Sequence, residues 1–278
     1  MSKVEKALQK ARAMDDLAAM PTVANAPAAD NRHLGQGADV ASFTAEIPRM
    51  AQKSTLVRPD MAESKIIFPE MEDVRVVDAF RQMRTHVLQS AAGANCVVLV
   101  TSVVPDGGAS FVARNLAAAF AFDETKTALL MDCRLRQPSF DDLVADGIGH
   151  GLADYLRTEN MDVGQIIHEG GMPRLRLIPG GRRTALATEQ LGSQRMKDLV
   201  GHLKMRYPDR YVVLDTASLN EAADVSVLSA LADMVILVVP YGRATEAQIW
   251  TAAKAIDEEK FLGVVFNDEP QPGRIIWN

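Results

Sequence analysis

Residues 96–116 read CVVLVTSVVPDGGASFVARNL. The valine-rich run 96–101, with no charged residue in it, predicts a strand buried on both faces. Pro105, Gly107 and Gly108 then mark a turn. The apolar spacing of Phe111, Leu116, Ala119 and Phe120 predicts a helix starting at once after it. A strand, a glycine turn and a helix N-terminus together suit an anion, because backbone N–H groups can approach it and the helix end adds partial positive charge. A glycine-rich phosphate loop, however, ends in Gly-Lys-Ser/Thr. Here the run is Gly108-Ala109-Ser110. Taken alone, the turn is equally an ordinary strand-to-helix connection.

The rest of the 278 residues can hold one large α/β domain with appendages, and 47% apolar content excludes global disorder. A net charge of −6 argues against general nucleic-acid binding. The two cysteines, Cys96 and Cys133, fall at strand ends and read as reduced thiols of a cytoplasmic protein. No apolar run approaches the ~20 residues of a membrane span, and the N-terminus lacks a signal-peptide core.

Residues 1–18 carry a capping-box spacing (Ser2, Glu5) and a thin apolar stripe (Val4, Leu8, Ala11, Leu17). They are expected to form a helix that is either solvated or docks to a partner. Residues 19–65, rich in Ala, Pro, Asn and Asp, are expected to be a flexible linker, with the folded domain spanning 66–278. A helix over 74–89 turns Val77, Phe80, Val87 and Leu88 inward. Strands are predicted at 96–101, 127–132, 174–178, 211–216, 234–239 and 262–267. Helices are predicted at 109–122, 151–157, 162–168, 187–206, 222–231 and 244–259. Alternation of apolar strands with helices implies an α/β fold, a mostly parallel sheet covered on both faces. Asp132 and Asp215 end two of the strands, at the edge where such sheets bind ligands.

Seven stretches in order, TSVVPDGGASFVARNLA, ALLMDCRLRQP, GLADYL, LRLIPGG, ATEQLGSQRMKDLV, YVVLDT and FLGVVFN, resemble the cytoplasmic domain of bacterial tyrosine autokinases (BY-kinases). These are deviant-Walker P-loop proteins, related to MinD/ParA-type ATPases, that regulate capsule and exopolysaccharide export. The opening SKVEKALQKARA is similar to the start of the free-standing forms. The resemblance implies a P-loop NTPase-like fold with ATP or ADP and Mg²⁺ as cofactors. It assigns Gly107, Gly108, Ser110, Phe111, Arg136 and Asn267 to the nucleotide, and Ser110, Asp132 and Asp215 to the metal. It also matches Asp78, Arg81 and Arg84 to the helical Glu-x-x-Arg-x-x-Arg motif that joins subunits into rings, with Asp for Glu.

The carry-over fails at two positions. Ala109 replaces the phosphate-binding lysine, and Arg134 replaces the second carboxylate of the Asp-x-Asp-x-Arg signature. The usual prolines after the Walker B aspartate are Ala217 and Ser218, and the end, DEPQPGRIIWN, has no tyrosine cluster. Phosphoryl transfer depends on positioning and charge neutralisation, so both losses argue against kinase activity. Anion binding stays open, because losing the lysine removes one positive charge while Asp-to-Arg adds two.

The expected function is therefore a catalytically degenerate BY-kinase homologue, an assembly or regulatory component of exopolysaccharide or capsule biosynthesis. Its expected partners are an inner-membrane polysaccharide co-polymerase, an active tyrosine kinase or other copies of itself. It would be cytoplasmic and peripheral at the inner membrane through a partner. The alternatives are an active tyrosine kinase using Arg134 or Arg136 as a displaced phosphate ligand, and a ParA/MinD-type positioning ATPase. The five histidines show no zinc-ligand spacing, Cys133 reads as a packing residue, and Arg174, Arg176, Arg182 and Arg183 read as a basic patch at a strand end.

Overall fold

The computed structural model describes residues 64–140, 143, 144, 149–219, 223–268 and 275–277. The expected helix at 1–18, nearly all of the linker at 19–65 and most of the tail after Asp268 lie outside the described residues. In chain order the elements are α1 (Val74–Ser90), β1 (Val97–Ser102), α2 (Ala109–Ala121), β2 (Thr127–Asp132), α3 (Leu152–Arg157), β3 (His168–Glu169), β4 (Leu175–Ile178), α4 (Ala187–Leu191), α5 (Gln194–Arg206), β5 (Arg210–Asp215), α6 (Asp224–Leu231), β6 (Met234–Pro240), α7 (Glu246–Lys254), β7 (Phe261–Asn267) and β8 (Ile275–Trp277).

The strands form one sheet in the order β3-β4-β2-β5-β1-β6-β7-β8. The six inner strands are parallel, and the short edge strands β3 and β8 pair antiparallel to β4 and β7. Every residue of β1, β2 and β5 is buried. Alternate side chains enter opposite cores. Val97, Leu99, Leu129 and Met131 face one, with Leu152, Leu199, Leu228 and Ile249 from the helices. Val98, Val100, Leu130 and Tyr211 face the other, with Val77 and Phe80 of α1 and Leu116 and Phe120 of α2. A strand covered on both faces loses the polar half of its alternation, which is why the first four residues of β1 are valine and leucine. Phe120 stacks on Tyr211, centroids 4.4 Å apart and planes 2° from parallel.

At the start of the described chain, Ile66 and Ile67 are buried against α2. The side chain of buried Asn115 holds them in place. It accepts from the Ile67 amide (2.7 Å) and donates to the Lys65 carbonyl (3.0 Å).

Several boundaries differ from expectation for local reasons. The predicted helix at 162–168 is a single 3₁₀ turn, Val163–Gln165, followed by β3. The Asp162 carboxylate accepts from the Gly164 amide at 2.7 Å, closing a turn where a helix would have continued. The predicted helix 187–206 is two helices. The break falls at Gly192-Ser193, where the Ser193 hydroxyl caps α5 by accepting from Met196 N. The predicted helix 244–259 is shorter, since Thr245 caps α7 and the helix stops at Lys254. On α1 the buried residues are Val77, Phe80, Met83 and Val87, and Leu88 is only partly covered. Among the described residues no helix is long and apolar enough to cross a membrane.

Candidate functional site: the phosphate loop and its arginine

Between β1 and α2 the chain turns through Gly107 and Gly108. Gly108 has φ +93°, and a Cβ there would lie 2.0 Å from Asn267 Nδ2, so glycine is required twice over. Asn267 ends β7 and donates to the Gly107 carbonyl (3.3 Å), tying the neighbouring strand to the turn. Arg243, which sequence reasoning missed, donates to the carbonyls of Pro105 (3.3 Å) and Asp106 (3.1 Å) from the loop after β6. The turn is thus held from two sides. No side chain caps α2, so its first-turn amides are left open.

A cavity of about 220 Å³ lies over these amides. It is lined by Ser102, Asp106 through Ser110, Arg134 and Thr216 through Ser218. Beneath it stand Asp132 and Asp215, register partners on adjacent parallel strands and both fully buried. Asp132 accepts from the amides of Arg134 (2.9 Å) and Ser139 (2.6 Å). Asp215 accepts from the Ser110 hydroxyl at 2.6 Å through one oxygen, while its other oxygen is buried without a partner. Burial lifts both carboxyls above the usual carboxylate range. The backbone amides oppose this at Asp132. At Asp215 the neighbouring Asp132 raises it further, against the Ser110 bond and the charges of Arg134 and Arg114.

Arg134 reaches into the same cavity. Its Nη1 donates to Ser110 Oγ at 3.2 Å, so Ser110 accepts from the guanidinium and donates to Asp215. The arginine meets the aspartates through this hydroxyl, by charge across space rather than by a direct side-chain hydrogen bond. Ala109 is buried in the apolar core under the turn.

The resemblance implies Mg²⁺ on Ser110, Asp132 and Asp215, and these residues do not fit it. Mg²⁺ needs oxygen ligands at about 2.1 Å in near-octahedral array. The Arg134 guanidinium on Ser110 Oγ puts a positive charge where the metal would sit, and each Asp132 oxygen already accepts from an amide. The second Asp215 oxygen is the one carboxylate oxygen of the pair without a partner. Among the described residues no three His, Cys, Asp or Glu side chains converge as a metal site.

Other expected site residues lie elsewhere. Arg136 pairs with buried Asp224 on α6 and donates to Thr188 on α4 (2.9 Å), fastening those helices to the loop after β2. Phe111 packs edge-on against Phe80 of α1, centroids 5.8 Å apart, away from the cavity. Asp78 and Arg81 form a partly exposed ion pair at 3.1 Å. Arg84, expected as a free forked donor, instead turns inward and donates to the Ala119 carbonyl of α2 at 2.9 Å. The expected basic patch is split by β4. Arg174 precedes the strand and bonds the Ala121 carbonyl, whereas Arg182 follows it, 3.8 Å from Asp154. Cys133 is buried and its thiol is pushed well up, as suits a packing residue. Thr216, absent from the expected set, lines the cavity and has a buried, unpartnered hydroxyl. Its position directly after the strand-end Asp215 was the available signal.

No family model matches the chain. Curated relatives do. It is 34% identical over 196 residues to a putative tyrosine-protein kinase EpsB of Ralstonia solanacearum, covering 69% of this chain and 25% of that one. It is 26% identical over 215 residues to the tyrosine-protein kinase CpsD of Streptococcus agalactiae (76% and 90% covered). It is 27% identical over 201 residues to the succinoglycan biosynthesis transport protein ExoP of Rhizobium meliloti (68% and 24%). The chain therefore spans about a quarter of EpsB and ExoP and nine-tenths of CpsD. Among solved structures, the chimerical protein CapA2B2 matches with a TM-score of 0.67 at 21% identity (82% and 100% covered). The kinase domain of the Escherichia coli tyrosine kinase ETK matches with 0.62 at 22% identity (76% and 86%). With its ordered motifs, its parallel sheet and these relatives, the chain is a homologue of the bacterial tyrosine-kinase (BY-kinase) domains and shares their P-loop NTPase-like α/β fold.

Proposed function

We propose that this chain is a BY-kinase domain that has lost phosphoryl transfer and serves as a cytoplasmic assembly or regulatory component of exopolysaccharide or capsule biosynthesis and export. The observation that carries this reading is Arg134. A guanidinium sits on the hydroxyl that would hold the metal, while Ala109 stands where the family has its lysine. A lysine-to-phosphate bond is worth about 1.5–3 kcal/mol in affinity, and more in a transition state where charge builds. Placing a cation on the Ser110 hydroxyl, which itself bridges to Asp215, occupies an oxygen that would orient the metal. Nucleotide binding is left to the loop's amides and to Arg134.

The polysaccharide setting draws support from the relatives, two named tyrosine-protein kinases and one a succinoglycan biosynthesis transport protein. In that setting the partners are an inner-membrane co-polymerase, an active kinase or further copies of this chain. The assembly face is the outer side of α1, where Asp78 and Arg81 border a shallow concavity with Gln82, Thr85 and Gln89. The test is incubation of the pure chain with Mg·ATP, reading phosphotyrosine and released phosphate. Neither should rise above background, and phosphate on any tyrosine would refute the proposal.

A further inference from the structure

We propose that the cavity over the phosphate loop binds the phosphate groups of a diphosphate or triphosphate without a metal, with the Arg134 guanidinium as its resident cation. This assignment rests on the reading above that Arg134 displaces the metal, and it adds a ligand and a mode of binding to that reading.

Four observations converge. The cavity, about 220 Å³, is several times the ~30 Å³ share of one water, and its floor is the uncapped first turn of α2. Such a turn offers amide donors and partial positive charge to an anion. Arg134 enters from the side. Its one side-chain hydrogen bond among the described residues uses Nη1 alone, so the rest of the fork remains for two-point contact with a phosphate. Independently, Thr216 is a 1% exposed residue of the cavity wall whose hydroxyl is buried without a partner, a spare donor at the edge of the site. Among the described residues the opposing groups are the exposed carboxylate of Asp106 on the cavity wall and the Asp132–Asp215 pair beneath it, whose charge is reduced because burial raises both carboxyls. A phosphate chain brings its own negative charge and needs a cation to offset it. Here the side chain supplies that cation permanently, bonded to the hydroxyl from which a divalent ion would be held. Added Mg²⁺ would then compete with Arg134 for the same phosphate oxygens and gain no place in the site.

Calorimetric titration of the full chain with pyrophosphate, ADP and ATP, each in EDTA and in Mg²⁺, tests this. Binding of at least one of these in EDTA, no tighter when Mg²⁺ is present, is the expected result. Equal affinity for pyrophosphate and ADP would place the ligand in the phosphate cradle alone, and tighter ADP would add contacts to the nucleoside. Arg134→Gln, checked for folding by circular dichroism, should weaken binding in EDTA by about tenfold or more. Arg134→Lys should retain part of it, and Thr216→Val should weaken it by a smaller factor. Absence of binding in EDTA, binding only with Mg²⁺, or full affinity in folded Arg134→Gln would overturn the assignment. Should Arg134→Gln not fold, the wild-type comparison in EDTA and Mg²⁺, together with Thr216→Val, decides. Turnover of Mg·ATP bears on the proposed function instead, so the two can fail separately.

Discussion

Replacing Asp215 by asparagine should change how stability depends on pH, in a direction set by the buried pair. Both carboxyls are raised by burial, Asp215 further by Asp132 beside it. A group whose folded pKa lies above its unfolded value contributes stability below the unfolded pKa and loses it as pH rises through the folded one. The unfolded chain releases these protons near pH 3.9. Between about pH 6 and 8, then, the folded pair holds about one proton that the unfolded chain has given up. Each such proton gives a slope of about −1.4 kcal/mol per pH unit. Over those two pH units the pair should cost about 2.7 kcal/mol, a large fraction of the ~5–15 kcal/mol stability of a domain. In Asp215→Asn the amide oxygen can still accept from Ser110. Asp132, left with two backbone amides and no charged neighbour of its own sign, should ionise at lower pH. His86 is lowered by burial and acts in the opposite sense, but it is common to both proteins and cancels in the difference. Urea unfolding in EDTA at pH 5, 6, 7 and 8, followed by circular dichroism, gives that difference directly. The variant should gain on the wild type by up to about 1.4 kcal/mol per unit as pH rises. Parallel profiles would show that the pair does not share a proton and would refute the reasoning.

Other changes probe separate parts of the molecule. Gly151→Ala places a Cβ 2.4–2.6 Å from the backbone of Pro179 and Gly181, so it should cost about 1–3 kcal/mol in chemical unfolding. Arg84→Ala should lower the melting temperature through loss of about 1 kcal/mol with the Ala119 bond, whereas Arg81→Ala should leave it unchanged. If the outer side of α1 is the assembly face, Arg81→Ala should reduce the mass seen by light scattering of the chain, alone or with an active kinase domain. Ala109→Lys should not restore phosphotyrosine formation in Mg·ATP, because Arg134 still occupies the side of Ser110 where a metal would sit.

Most of the sheet was legible because its strands are covered on both faces. Apolar runs such as residues 97–100 and 211–214 appear where no face of a strand meets water, and the helices between them dictate parallel pairing. The edge strands were not legible. His168–Glu169 is two residues long and carries no alternation, and its pairing with Leu175–Ile178 exists only once the chain has turned at Gly170 and Gly171. The break between α4 and α5 was written in Gly192-Ser193, but the apolar spacing across it masked the cap.

At the candidate site, sequence by itself determined the chemistry present. A glycine turn begins a helix, two aspartates end strands, a lysine is missing and an arginine stands in a carboxylate position. The first two are facts of residue type and order, and the last two are read from the resemblance to the family's motifs. Tertiary structure decided what each group touches. Asp132 and Asp215, far apart in sequence, become register partners only when β2 pairs with β5; burial in the sheet raises both carboxyls, and the neighbouring Asp132 raises Asp215 further. Arg134 and Arg136 sit two residues apart in an irregular loop, yet one turns to Ser110 and the other to Asp224. Arg81 and Arg84 share a helix, and the helix's rotation leaves the first at the surface while burying the second against the Ala119 carbonyl. A side chain's partner depends on the direction of its Cα–Cβ bond relative to neighbouring elements, and that direction is fixed only when the elements pack.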